Sequence, residues 1–137
     1  MSWVRIWVHL IFSTKNWEPF LTDKIRDKVF HHIKENAKEK GILLIRVNGG
    51  VDHCHCLLSL SKEHSISKVA QLIKGESSFW INKNALVKDF MWQDDYYAVS
   101  VDDGRVKSLK DYIDNQTEHH RKKTFKEEYD GFIKEYS

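Results

Sequence analysis

Two histidines one residue apart, His53 and His55, sit in the run DHCHCLLSL. On a strand, alternate side chains point to opposite faces, so His53, His55, Leu57 and Ser59 share one face while Cys54, Cys56, Leu58 and Leu60 share the other. The second set is apolar and belongs in a core. The two imidazoles then project together with Cβ atoms roughly 7 Å apart, a separation from which both can reach one metal ion. The same placement also describes two strand histidines without a ligand, since imidazole is common on half-polar faces. A zinc site built from His53, Cys54, His55 and Cys56 has suitable donor types, but four consecutive residues of a strand point in alternating directions. Farther along, in SLKDYIDNQTEHHRKK, Tyr112 and Gln116 stand four apart, as neighbours on one helical face. Tyr112 borders the packing stripe, where its phenol is accessible; a ring packed at the core boundary with a wet hydroxyl is the structural alternative. The Gln116 amide oxygen is a competent ligand for a hard cation beside imidazole nitrogens, and equally a solvated helix residue. His119 and His120 read as surface charge toward a helix end.

These groups need a strand and a helix to position them. Residues 3–14 are rich in β-branched and aromatic types and read as a first strand. Ile25, Val29, Ile33 and Ala37 recur at helical spacing, with Thr22 as N-cap and Gly41 just past the end. Residues 43–47 and 51–60 are apolar runs around Asn48, Gly49 and Gly50, which tolerate the positive φ of a tight turn, so the runs pair as an antiparallel hairpin. Ser65 opens a second helix, carried by Val69, Leu72, Ile73 and Phe79 to near Lys83 and weakened at Gly75. Residues 92–101 read as a strand entered through a polar turn, and 102–104 as a loop. A third helix carries Val106, Leu109, Ile113 and Thr117 on one stripe and extends to near Tyr129. The order strand, helix, strand, strand, helix, strand, helix calls for an antiparallel sheet covered by helices.

The 137 residues, 41% hydrophobic and 31% charged with one proline, fit a single domain spanning 1–137. A chain of this length buries on the order of two thirds of its unfolded surface, so it needs neither disulfides nor a structural metal to fold. Cys54 and Cys56 are too close along the chain for an unstrained disulfide. The excess of 22 basic over 20 acidic residues permits a nucleic-acid partner without selecting one. No run of about 18 apolar residues and no leader pattern is present, which predicts a cytoplasmic protein with no membrane contact.

Taken together, DHCHCLLSL, KGESSFWINK and YIDNQTEHHRKKTFKEEY resemble, in order and spacing, the single-tyrosine HUH transposases of small bacterial insertion sequences. This TnpA-like family includes repeat-associated relatives, and the resemblance spans nearly the whole chain. The family's histidine, hydrophobic residue, histidine motif is matched by His53, Cys54 and His55, with cysteine a slightly unusual middle residue. Its nucleophile is matched by Tyr112, and the glutamine that supplies a third metal ligand by Gln116. The resemblance implies an α+β fold, a ferredoxin-like or RRM-like (RNA-recognition-like) antiparallel sheet covered by helices with a C-terminal tyrosine-bearing helix. It also implies a homodimer whose active sites combine the histidines of one subunit with the tyrosine helix of the other, acting on single-stranded DNA with a hairpin. In that chemistry a divalent metal, Mg2+ or Mn2+, is held by His53, His55 and Gln116 and polarises the scissile phosphate. Tyr112 attacks to give a 5′-phosphotyrosine and a free 3′-hydroxyl, so rejoining needs no ATP. The phenol's reference pKa of about 10 leaves it mostly protonated at neutral pH, and the sequence identifies no protein base.

DNA contacts would draw on Lys62, Lys74, Lys83, Arg105, Lys107, Arg121, Lys122 and Lys123, with Trp80 or Trp92 exposed for stacking. Each also has an ordinary role as a solvated cation or a core ring. Lys74 stands first among them as a DNA-binding residue, because it lies in the KGESS segment that resembles the family and beside a glycine kink. Two other functions remain open: a non-catalytic single-stranded nucleic-acid-binding module, and a domesticated repeat-associated HUH nuclease.

Overall fold

In a computed structural model, residues 1–116 are described together with 127, 130 and 131. The strands are β1 Trp7–Ser13, β2 Leu43–Gly49, β3 His53–Ser59 and β4 Tyr97–Val101; the helices are α1 Asp23–Glu39, α2 Ile66–Lys83 and α3 Val106–Asp114. Short 3-10 turns occupy Lys15–Trp17 and Asp103–Arg105. The sheet runs in the order β2-β3-β1-β4 with every pairing antiparallel, the arrangement of a ferredoxin-like α+β fold. β1 and β3 are the central strands, and each is buried over almost its full length, as expected for strands covered on both faces.

The two faces of the sheet do different work. On one, Val8, Leu10, Phe12, Cys54, Cys56 and Leu58 pack against Val29, Phe30 and Ile33 of α1 and Val69, Ala70, Ile73 and Ile81 of α2. The Cys54 and Cys56 thiols lie 3.9 Å apart in this core as free cysteines. Burial, followed by the hydrogen bond to Cys56, holds the Cys54 thiol well above its ordinary pKa. On the other face, α3 covers a smaller apolar cluster of Leu57, Val106 and Ile113, flanked by Trp7, Ile45, Val101 and Leu109. Among the described residues no helix is long and apolar enough to cross a membrane.

Several boundaries differ from the sequence expectation for identifiable reasons. β1 begins at Trp7, and Trp3 stands 77% exposed ahead of it. β4 begins at Tyr97 because 92–96 is a loop, joined to the sheet by a single bridge between Thr14 and Trp92. Ser65 caps α2 by accepting from the Lys68 N–H at 3.1 Å, whereas Thr22 precedes α1 without a side-chain cap bond. The buried stripe of α2 is Val69, Ala70, Ile73, Ser77 and Ile81, which leaves Phe79 64% exposed. Ser77 is tolerated there because its hydroxyl donates to the Ile73 carbonyl at 2.6 Å and accepts from Trp92 Nε1 at 2.9 Å. Beyond Gln116 the expected extension of the third helix falls almost wholly outside the described residues, as do Thr117, His119, His120, Arg121, Lys122 and Lys123.

The hairpin between β2 and β3 needs glycine for a reason other than the expected one. Among the described glycines only Gly41 has a positive φ, at 71°. Gly49 is required by close approach: a Cβ there would collide with the His53 carbonyl oxygen and come within 3.0 Å of Cys54 Cα. Gly49→Ala is therefore expected to destabilise the protein by about 1–3 kcal/mol, measured by urea unfolding, because the backbone of His53 has to shift.

β1 adds a third histidine to the α3 face. His9 is 5% exposed, and burial lowers its pKa from 6.5 to about 4. Above pH 6.5 folded and unfolded chains both hold it neutral; as the pH falls, the unfolded chain takes up a proton that the folded one refuses until about 4. Folding stability of the metal-free protein should fall across that window by on the order of 3 kcal/mol and level off below it. Thermal melts in EDTA at stepped pH check this, and His9→Gln should flatten the profile.

Candidate active site

The strand alternation puts His53 and His55 on the α3 face, where both are buried, at 1% and 0% exposure, with ring centroids 5.0 Å apart and nearly perpendicular. They are interior groups, not decorations on a solvated sheet. The antiparallel register opposes His9 to Leu57 and Ile11 to His55, which brings the His9 ring beside His55. His9 Nε2 lies 2.9 Å from His55 Nδ1, and the two rings stack at 5.2 Å. From above, α3 lowers Tyr112 edge-on to His55, with ring centroids 5.6 Å apart. Gln116, fully buried, places its Oε1 3.0 Å from His53 Nε2. All four residues expected at the site therefore meet within one chain.

The helix lands there because both its ends are fastened. At its start, Asp103 accepts from Trp7 Nε1 at 2.6 Å and from Arg5 at 3.2 Å. The Trp7 bond first, then the Arg5 bond, holds the Asp103 carboxyl below its ordinary pKa. Along its length Val106 and Ile113 bury against Leu57. At its end, Asn48 Nδ2 donates to the Ile113 carbonyl at 2.9 Å and Arg46 pairs with Asp114 at 3.3 Å. The Gln116 amide donates through Nε2 to the Tyr112 carbonyl at 3.1 Å, satisfying an orphan helix-end acceptor and fixing the orientation of its oxygen.

The ring nitrogens constrain one another. Asp52 Oδ1 lies 3.0 Å from His53 Nδ1, so that nitrogen carries a proton donated to the carboxylate. His53 Nε2 then faces Gln116 Oε1, and two acceptors opposed at 3.0 Å are satisfied only by a proton or a metal ion. Neutral His9 accepts from or donates to His55 Nδ1, which fixes the His55 ring as outer partners commonly do for metal-ligating histidines. Among the described residues no three His, Cys, Asp or Glu side chains form a ready metal site. Two imidazoles and an amide oxygen are a donor set that a divalent ion can accept.

Other expected contributors are placed differently. Lys74 Nζ donates to the carbonyls of Gln93, Asp94 and Asp95 at 2.6, 2.8 and 3.2 Å, fastening α2 to the loop before β4. Burial lowers its pKa, and Asp94 and Asp95 oppose that shift. α2 continues through Gly75 without a break in its helical assignment. Trp92 is 5% exposed and packs edge-on against Phe12 and Phe90, so it is a core ring and not a stacking surface. Trp80 is half-buried and stacks on His32 at 4.0 Å. His9, Asp52 and Asn48 escaped the sequence reading. His9 did leave a signal, as the one ionisable side chain within the strand WVHLIFS.

Residues 2–116 match the sequence profile of the family described as IS200-like transposases. A relative from Deinococcus radiodurans, the ISDra2 transposase TnpA, is 24% identical over 114 residues, which are 79% of this chain and 81% of that protein. A crystal structure of a D. radiodurans R1 protein assigned as a transposase superposes with a TM-score of 0.67 at 22% identity, covering 84% of this chain and 93% of the other. A REP-associated tyrosine transposase bound to a REP hairpin superposes with a TM-score of 0.60 at 14% identity, covering 89% and 71%. At those identities the two structures establish the shared fold. The profile match runs through the histidine strand and the tyrosine helix alike, and the chain belongs to the IS200-like, TnpA-like family of transposases.

Proposed function

We propose that this transposase cleaves and rejoins single-stranded DNA at hairpin-marked ends, using Tyr112 as nucleophile and a 5′-phosphotyrosine intermediate. The observation that carries the reading is the meeting, under one short helix, of the Tyr112 ring with His55 and of Gln116 Oε1 with His53 Nε2. Tyr112 Oη attacks the scissile phosphorus; the Oη–P bond forms, the P–O3′ bond breaks, and the departing strand takes a proton as its 3′-hydroxyl. The phosphate ester is conserved, so a DNA 3′-hydroxyl reverses the step and releases the phenol. A divalent ion, Mg2+ or Mn2+, held by His53, His55 and Gln116, would supply charge neutralisation at the phosphate. Asp52 and His9 fix the two ligand rings before DNA arrives. The hairpin bound by the REP-associated transposase of the same fold supports a structured single strand as substrate.

The family resemblance also implies a homodimer with exchanged tyrosine helices. Asp103, Asn48 and Arg46 fasten α3 to the sheet beneath it, contacts that a helix exchanged between subunits would make equally.

Tyr112→Phe should bind hairpin-bearing single strands as tightly as the parent and form no covalent adduct on a denaturing gel. The parent adduct should disappear in EDTA and return with Mg2+ or Mn2+. An adduct that survives Tyr112→Phe removes that residue as nucleophile, and parent binding without any adduct favours a non-catalytic module. Mixing Tyr112→Phe with a His53→Ala, His55→Ala double variant should recover the adduct through exchanged helices; no recovery from a mixture that forms heterodimers would leave the site complete in one chain.

A further inference from the structure

A groove of about 530 Å³ opens between β4 and the first turns of α3, on the side of Tyr112 away from Gln116. It lies within the roughly 300–1,000 Å³ typical of small-ligand sites. His9 and Tyr112, the two residues that also touch His55, line one part of it, so it is continuous with the candidate active site. Val99 and Val101, both half-buried, supply an apolar wall from the edge strand, Ser108 and Arg105 supply polar groups from α3 and the turn before it, and the Asp102 carboxylate lines the rim where the strand ends. The Ser108 hydroxyl donates to the Arg105 carbonyl at 3.0 Å, which leaves its oxygen free to accept.

The arginine sets this groove apart. Arg5, Arg26 and Arg46 each pair with an aspartate. Arg105 alone among the described arginines has no such pair, and it stands exposed at the groove. A comparable groove beside Lys74 has its cation already held by three carbonyls and touches none of the candidate catalytic residues. An apolar wall for a flat ring, a hydroxyl for its edge and an unpaired guanidinium for a phosphate describe one nucleotide unit.

Building on Tyr112 as the nucleophile, we infer that this groove holds the nucleotide adjoining the scissile phosphate, with its base against Val99 and Val101 and its outer phosphate at Arg105. The protein then holds a base directly beside the bond it cuts.

Ser108→Trp fills the groove from an exposed position and should keep the parent's melting temperature. The test pairs parent and Ser108→Trp with a hairpin-bearing strand from the gene's flanks, intact or with an abasic site moved one position at a time. At one position next to the cleaved bond, the abasic change should slow parent adduct formation by about tenfold or more. Ser108→Trp should show a similar loss on the intact strand and no further loss on the abasic one, and Arg105→Gln should be slowed on both. Parent-like rates in folded Ser108→Trp, or losses that multiply, overturn the proposal. Fluorescence anisotropy with the same four combinations reads the groove without chemistry. Coupled losses in binding from a parent that forms no adduct would retain the groove and refute the nucleophile, whereas uncoupled binding would refute the groove.

Discussion

Three imidazoles and a carboxamide are sealed between one helix and the centre of a sheet, where each unsatisfied polar atom would cost about 1–3 kcal/mol. They lower that cost by chaining together, with a proton or a cation between His53 and Gln116 completing the chain. Asp52 engages His53, His53 engages Gln116, and Gln116 turns back to the Tyr112 carbonyl, while His9 engages His55. Such a chain has few solutions, and each one specifies where α3 must end. The position of the phenol follows from the need to satisfy its neighbours, and the apolar contacts of Val106 and Ile113 with Leu57 only have to hold the helix in that register.

The sheet makes this affordable by separating two tasks. Its α1/α2 face carries the large apolar core, including two thiols that act as ordinary small hydrophobes. Its α3 face carries the polar cluster with only a small apolar border. Strand alternation keeps the two apart residue by residue: His53 and His55 face α3 while Cys54 and Cys56, in the same four-residue stretch, face the core.

That alternation was legible in DHCHCLLSL, and so were the number and order of elements, because periodicity is a local property. The pairing of Tyr112 and Gln116 on one helical face was legible for the same reason. His9 was not, since its role depends on a register between strands 46 residues apart. Phe79 and Trp92 misled for a related reason. A helical stripe can be drawn through Phe79, but the stripe chosen by the sheet passes through Ser77, whose hydroxyl is used by Trp92 from a loop 15 residues away. Lys74 read as a free cation because nothing local announces the three carbonyls that surround it. Gly49 was recognised as a turn residue, yet its true constraint is the His53 carbonyl across the hairpin.

The attachment of α3 sets the character of the site. Asp103 holds its start, Asn48 and Arg46 hold its end, and Tyr112 and Gln116 are carried by the same stretch of chain. Undocking it would carry both residues away from the imidazoles in one event. Assembly of the buried cluster is thereby tied to the docking of a single helix: its parts are together or they are dispersed.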